Sequence, residues 1–407
     1  MTEFRAFDIL VVGGGMTGSA LALGLSRQGW QVALVEGSER AMLLQQSEPA
    51  DGVAEFEPRV SAISRASQQL LESLGVWPAV VSGRHCPYQK MTVWDGDGTG
   101  RIHFDAADLQ ARDLGTIVEN RGLVRALFQA LEDSSVELID GVKVTGWWQD
   151  GNQRGIELAD GQRLGARLVV AADGANSRLR QWVGLPVREW DYDQQAIVCT
   201  VRTAQSHRFT AWQRFSPTGP LAFLPLRPES GDEHFCSIVW SQDTDEARRL
   251  MALDDNSFAA ELELAIEREL GAVQAVSRRY AFPLRQRHAK DYIATGFALV
   301  GDAAHTIHPL AGQGANLGFA DVRALLDELS RAQRAGLSPA EELVLARYQR
   351  RRKAENLAMM AAMEGFKQLF ARDELPLRWL RNTGMRWLDG LGPIKHRIAA
   401  EAMGLTR

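Results

Sequence analysis

Residues 7–18 read Phe7-Asp8-Ile9-Leu10-Val11-Val12-Gly13-Gly14-Gly15-Met16-Thr17-Gly18. Phe7–Val12 is short and largely apolar, the mark of a buried parallel strand. Glycines follow at 13, 15 and 18, and Ala20–Ser26 then reads as a helix. Gln31–Glu36 is a second strand, so the opening is one βαβ unit. Gly13-x-Gly15-x-x-Gly18 alone is weak evidence. Between strand and helix, with Glu36 ending the next strand eighteen residues after Gly18, it predicts a dinucleotide site. The glycines let backbone approach a pyrophosphate at a helix N-terminus. Glu36 suits ribose hydroxyls and repels a 2′-phosphate, which leaves FAD or NAD.

The stretch 41–58 has no apolar periodicity and reads as a loop. Ser61–Leu74 reads as a helix with Leu70, Leu71 and Leu74 on one side. Met91–Phe104 alternates around Asp95-Gly96-Asp97-Gly98, a hairpin signal. Residues 142–172 read as a three-strand meander ending in the buried run Leu168–Ala172. From 186 to 285 the pattern is mostly β, with strands at Gln195–Thr203, Leu221–Leu226 and Phe235–Ser241 and a helix near 257–270. Phe297–Val300 returns as a buried strand before a helix at about 315–335. Ser338-Pro339-Ala340-Glu341 carries a capping box, which starts a helix running to about 370. Met359, Met363, Phe366 and Phe370 share one of its faces. A second amphipathic helix is expected near 376–390.

Two further turns carry chemistry. In Val169-Val170-Ala171-Ala172-Asp173-Gly174 a strand delivers an Asp-Gly turn before Ser177-Arg178. Taken alone, that is a common tight turn. At Gly301-Asp302 a strand again ends in Gly-Asp, where Asp302 can accept from a sugar-alcohol chain. Beyond Pro309 comes Gly312-Gln313-Gly314-Ala315-Asn316, then a helix whose bare N–H groups suit the electron-rich edge of a reduced isoalloxazine. Asp302-x-x-His305-x-x-His308 has metal-ligand spacing on a helix, but Pro309 and the glycines argue against a helix there, so no metal is expected. With a single GxGxxG and a large β insertion, the reading is FAD held permanently and a reductant that visits.

Composition agrees. Among 407 residues, hydrophobic types make 45% and charged types 24%, the balance of a globular chain of two or three domains. A net charge of −5 gives no global field for nucleic acid. Three scattered cysteines give neither a disulfide framework nor a zinc site. The uncharged run 9–26 is too glycine-rich for a membrane span, and the expectation is a cytoplasmic chain. Residues 340–407 carry a net +5 against −10 for the rest, which points to an anionic partner or surface.

Together the three motifs resemble the flavoprotein aromatic hydroxylases of the para-hydroxybenzoate hydroxylase fold. The run from His308 to Asp321 is similar to the signature of the ubiquinone-biosynthesis hydroxylases. Arg59–Ile63, Val118–Asn120, Ala222–Leu226, Cys236–Ser241 and Ala402–Leu405 are similar to stretches of the bacterial 2-octaprenylphenol hydroxylases among them. The resemblance implies an α/β fold: a Rossmann-like FAD-binding domain (1–75, 105–180 and 286–337), an inserted, mostly antiparallel β substrate domain (76–104 and 181–285) and a C-terminal helical segment (338–407). It implies that Gly13, Gly15, Gly18 and Glu36 hold the ADP half of FAD and that Arg59 and Arg121 contact FAD. Asp173 and Gly174 serve FAD and NADH or NADPH, Asp302 the ribityl chain, and Pro309 with Gly312, Gln313, Gly314, Ala315 and Asn316 the ring. The implied reaction puts one oxygen atom of O2 on a polyprenylated phenol in ubiquinone biosynthesis. No catalytic acid or base stands out. The implied partners are the substrate and, through the basic segment, other pathway proteins or the inner-membrane surface. Two alternatives stand beside this: an FAD oxidase or dehydrogenase of a small amine or hydroxy acid, and a non-catalytic assembly subunit that keeps the fold.

Overall fold

The computed structural model describes residues 4–46, 51–151, 153–306 and 314–371, with 382–385, 387, 389 and 403 beyond them. Strand β1 (Arg5–Val12) leads through Gly13–Gly15 into helix α1 (Met16–Arg27), and β2 (Val32–Val35) follows. With β3 (Glu137–Ile139), β4 (Arg163–Ala171) and β5 (Phe297–Leu299) they form the parallel part of an eight-stranded sheet, in the order β5-β4-β1-β2-β3. The inner half of β1 is fully buried, as a strand covered on both faces must be. The expected meander is present: Val144–Asp150 and Gln153–Leu158 pair antiparallel and extend from β4.

A nine-stranded sheet makes the second layer. At its centre, Val187–Thr203 pairs antiparallel with Phe235–Asp243, Val273–Val276 and Tyr280–Ala289. The hairpin Lys90–Asp95 and Arg101–Asp105 sits at one edge. Trp94, Trp212, Phe223 and Trp240 fill its core. At the other edge His305–Thr306 pairs with Tyr280–Ala289, so this sheet reaches the turn that follows β5. The helix expected near 257–270 covers Asp255–Ala265, and a further helix, Thr244–Ala252, precedes it.

The helix expected over Ser61–Leu74 is divided. Val60–Ser64 is a strand that pairs antiparallel with Gly115–Glu119, and the helix covers Arg65–Ser73. Ser64 caps that helix by accepting from the Ser67 N–H. The loop expected over 41–58 begins with the end of a short helix, Arg40–Leu43.

Helix α2 (Gly314–Arg334) is followed by helix α3 (Glu342–Ala371). The expected capping box does not start α3. Ser338–Glu341 instead forms a turn, in which the Ser338 hydroxyl accepts from the Ala340 N–H and the helix begins at Glu342. Phe370 near its end is buried, stacked 4.4 Å from Phe215. Most of 376–390 lies outside the described residues, but Asn382 and Met385 are buried against the edge hairpin. Asn382 donates to Asp95 at 3.0 Å and accepts from the Thr99 N–H at 2.7 Å. Trp387 is 72% exposed. No helix of the described residues is long and apolar enough to cross a membrane.

Candidate active site

Strands β5, β4 and β1 are neighbours, in parallel register at Leu299, Ala171 and Val12. Their C-terminal ends therefore lie side by side. Each continues into one of the three turns picked out in the sequence, and each turn has a glycine with left-handed φ: Gly13 at 105°, Gly174 at 83° and Gly301 at 60°. Ligands bind at this edge of open α/β sheets.

The first turn is fitted to a pyrophosphate. A β-carbon on Gly18 would lie 1.9 Å from the Gly13 carbonyl oxygen, so α1 packs on its strand only without one. Gly15 is different. It is exposed, and a β-carbon there meets nothing within 4 Å. It is also the N-cap of α1, with no side chain capping it. The helix thus presents uncapped N–H groups and open space beside them, the chemistry of a phosphate cradle. Glu36 accepts from the Gly14 N–H at 2.6 Å and from the Ser38 N–H at 2.8 Å. Its carboxylate holds the glycine turn and keeps lone pairs for ribose hydroxyls. The residues fit the ADP half of a dinucleotide.

In the second turn Asp173 caps a short helix, accepting from the N–H groups of Arg178 at 3.0 Å and Leu179 at 3.3 Å. Burial raises its carboxyl pKa, and these bonds oppose the rise. Its Oδ1 is shielded and has no partner among the described residues. Gly174 has open space where a β-carbon would be.

In the third turn, Gly301–Ala303, Asp302 reaches solvent. Surrounding protein nevertheless raises its carboxyl pKa, with His305 and Arg59 pulling the other way. Arg59 thus acts on Asp302 through its charge, while the exposed Arg121 pairs with Glu57 at 3.0 Å. Gly314 and Ala315 stand at the start of α2, with open space at Gly314. The Asn316 side chain turns to the protein. It accepts from the Ser64 N–H at 2.9 Å and donates to the Ala62 carbonyl at 2.8 Å. Pro309, Gly312 and Gln313 lie outside the described residues, as does His308.

The three turns are also tied to one another. The Thr17 hydroxyl lies 2.9 Å from where a Gly301 β-carbon would sit and 2.4 Å from that of Gly318. Buried Arg180 donates to the Ala303 carbonyl at 2.7 Å and to the Ala175 carbonyl at 3.0 Å. No group of His, Cys, Asp or Glu among the described residues is placed to hold a metal.

Comparison with known proteins agrees with this geometry. The family model described as FAD binding domain matches residues 6–362. The 3-demethoxyubiquinol 3-hydroxylase of Escherichia coli is 41% identical over 400 residues, 98% of each chain. The ubiquinone hydroxylase of Rhodospirillum rubrum is 36% identical over 404 residues, 99% of this chain and 91% of that one. The chain belongs to the ubiquinone-biosynthesis flavoprotein hydroxylases. Among solved structures, a probable FAD-dependent monooxygenase of Pseudomonas aeruginosa superposes with a TM-score of 0.75 at 25% identity, covering 94% of this chain and all of that one. The p-nitrophenol 4-monooxygenase of Pseudomonas putida, at 20% identity and a TM-score of 0.79 over 99% of this chain and all of that one, shares the fold. This hydroxylase is an FAD-dependent monooxygenase.

Sequence reading missed what lies beneath the hydroxylase's third turn. Asp321 of α2 is fully buried and accepts from the Gly301 N–H at 2.8 Å, His305 Nε2 at 2.6 Å and Arg352 Nε at 2.7 Å. His305 and Arg352 hold its carboxyl below the usual carboxylate range, against the burial that would raise it. The signals were an acid on the apolar side of α2, beside Phe319, Val322 and Leu325, and an arginine inside Arg350-Arg351-Arg352-Lys353. That run reads as a basic patch, but Arg352 is 2% exposed, and Arg351 pairs with Asp327 at 3.1 Å.

From Arg352 a chain of hydrogen bonds runs to a buried histidine. Arg352 donates to Asn356 Oδ1 at 2.9 Å, so Asn356 Nδ2 donates to the Tyr292 hydroxyl at 3.0 Å. That hydroxyl is in turn paired with His288 Nε2 at 3.0 Å and donates to it when that nitrogen is bare. Burial first, then His305, Lys353 and Arg188, push the His288 pKa down to about 4. Unfolded histidine titrates near ~6.5. Between those values the unfolded chain holds the extra proton, so this stability is complete above the upper value and lost as pH falls to the lower. The loss is on the order of 3 kcal/mol. His288→Gln keeps an acceptor for Tyr292 and removes the titration. Urea unfolding from pH 7 to 4.5 should therefore show a shallower decline in the variant, and parallel declines would contradict the neutral buried imidazole.

Proposed function

We propose that this flavoprotein hydroxylates the ring of a polyprenylated phenol in ubiquinone biosynthesis, with NADH or NADPH as reductant and O2 as oxidant. The observation that carries it is the alignment of three Gly-bearing turns at one sheet edge, with the antiparallel sheet joined to the third. The relatives support the same reading: they are called hydroxylases and monooxygenases, and nothing supports an amine or hydroxy-acid oxidase or a non-catalytic subunit.

In this reading Gly13, Gly15, Gly18 and Glu36 hold the ADP half of FAD, and the uncapped start of α1 offsets the pyrophosphate charge. Arg59 and Arg121 flank it, Asp173-Gly174 borders the path of the nicotinamide, and Asp302 accepts from the ribityl hydroxyls. Gly314, Ala315 and Asn316 would meet the ring from the start of α2, and Pro309, Gly312 and Gln313, which lie outside the described residues, are assigned to it by the resemblance alone. The start of α2 opposes negative charge that develops there. Bound FAD supplies electron acceptance from the nicotinamide and activation of O2. The chain's own work is to orient the phenol and keep water away, for which the antiparallel sheet serves as cover. The FAD-binding part is then 1–75, 105–180 and 286–337, the substrate part 76–104 and 181–285, and the helical part 338–407.

Incubation with NADH or NADPH, 18O2 and a short-chain prenylated phenol tests this. The expected product carries one 18O on the ring, read by mass spectrometry. Nicotinamide oxidation that yields only hydrogen peroxide, or a product labelled from water, would contradict it.

A polyprenyl tail partitions into bilayers, so the substrate is collected at a surface. Trp387 stands 72% exposed on a helical stretch whose Asn382 and Met385 are buried. Exposed tryptophan on a basic amphipathic segment suits the membrane interface. Trp387→Ala should lower co-sedimentation with phosphatidylglycerol vesicles by about threefold or more while FAD content stays unchanged. Equal sedimentation would remove the anchor, and loss confined to mixtures with other pathway proteins would make it a docking residue instead.

A further inference from the structure

We infer that Arg352 is a positioning residue for the flavin-binding turn, acting through the buried carboxylate of Asp321. The inference rests on reading Asp302 as a flavin contact.

Asp302 sits within the turn Gly301–Ala303. One oxygen, Asp321 Oδ2, accepts from the N–H of Gly301 at the start of the turn and from His305 Nε2 just beyond its end. Both flanks of Asp302 therefore hang from a single atom. That atom belongs to α2, the helix whose first turn stands beside the expected ring site.

Asp321 is fully buried, so its charge needs an opposite charge close by. Arg352 supplies it from α3, with Nε donating to Oδ1 at 2.7 Å. Arg352 is itself 2% exposed, and its other donors are fixed: Nη2 to Asn356 at 2.9 Å and to the Leu317 carbonyl at 3.5 Å, and Nη1 to Glu355. The guanidinium fork thus sets the direction of the carboxylate as well as its charge. Without it, desolvation favours the protonated acid, which accepts less well from the two N–H groups. The turn would loosen at both ends, and Asp302 would lose its fixed place. Arg352 belongs to α3, so the placement of that helix is transmitted to the turn.

A residue that only stabilises the fold would change the unfolding midpoint and leave cofactor affinity alone. The test separates the two. Full-length Arg352→Met, Arg352→Lys and Asp302→Ala are freed of FAD and titrated with it. Flavin fluorescence quenching, the shape of the visible flavin band and the unfolding midpoint of each apoprotein are recorded. Arg352→Met should raise the FAD Kd about tenfold or more in protein that is folded at the assay temperature, with a band closer to that of free FAD. Arg352→Lys restores the charge without the fork and should recover part of the affinity. A Kd and band within twofold of wild type in Arg352→Met overturns the inference, whatever its midpoint. If Arg352→Met does not fold, a wild-type Kd in Arg352→Lys with a lowered midpoint overturns it equally. Asp302→Ala keeps the two readings apart. Weak binding there with wild-type binding in the Arg352 variants removes this inference alone, whereas wild-type binding in Asp302→Ala removes the Asp302 assignment and this inference with it.

Discussion

Three adjacent parallel strands, β5, β4 and β1, end at one level, and the site follows from that constraint. Because Leu299, Ala171 and Val12 are in register, the turns after them have to share a narrow strip of space. A β-carbon on Gly13 would lie 2.4 Å from the carbonyl oxygen of Ala172 in the neighbouring turn. Left-handed glycines at Gly13, Gly174 and Gly301 let three chains turn away at once. What they leave open is an edge at which α1 starts without a side-chain cap.

Such an edge is built largely of polar groups, and buried side chains fix its shape. Arg180 joins the second turn to the third, Thr17 wedges the first against the third, and Asp321 anchors the third from below. Arg180 and Asp321 each satisfy backbone groups that have no partner in sheet or helix. A flavin held across this edge meets a surface that is already set, so little reorganisation is required as charge develops in the reaction. The antiparallel sheet reaches the same place through the pairing of His288 with His305.

Much of this was legible in the sequence because glycine spacing and strand-end acids are local signals. Gly13-x-Gly15-x-x-Gly18, Asp173-Gly174 and Gly301-Asp302 each announce a turn, and each turn is where it was expected. Val60–Ser64 was misread as helix because its strand character depends on Gly115–Glu119, more than fifty residues away. Asn316 was placed at the ring by its glycine loop, but that its amide also serves the backbone of that unexpected strand was not legible. Arg352 was hidden inside a run of four basic residues, where composition indicates a solvated face. Only the packing of α3 on α2 shows that one of the four points inward to Asp321. Partners distant in sequence were the ones that pattern reasoning could not supply.

In the proposed site the open space at Gly15 takes the pyrophosphate of FAD. Gly15 has φ −67° and ψ −176°, a backbone that valine adopts freely, and no protein atom waits within 4 Å of its β-carbon position. FAD is therefore titrated into Gly15→Val apoprotein, with its unfolding midpoint measured alongside. Unfolding stability should stay within about 1 kcal/mol of wild type, and FAD affinity should fall about 100-fold or more, a loss of ~2.7 kcal/mol. A stable Gly15→Val chain that binds FAD with wild-type affinity would contradict it.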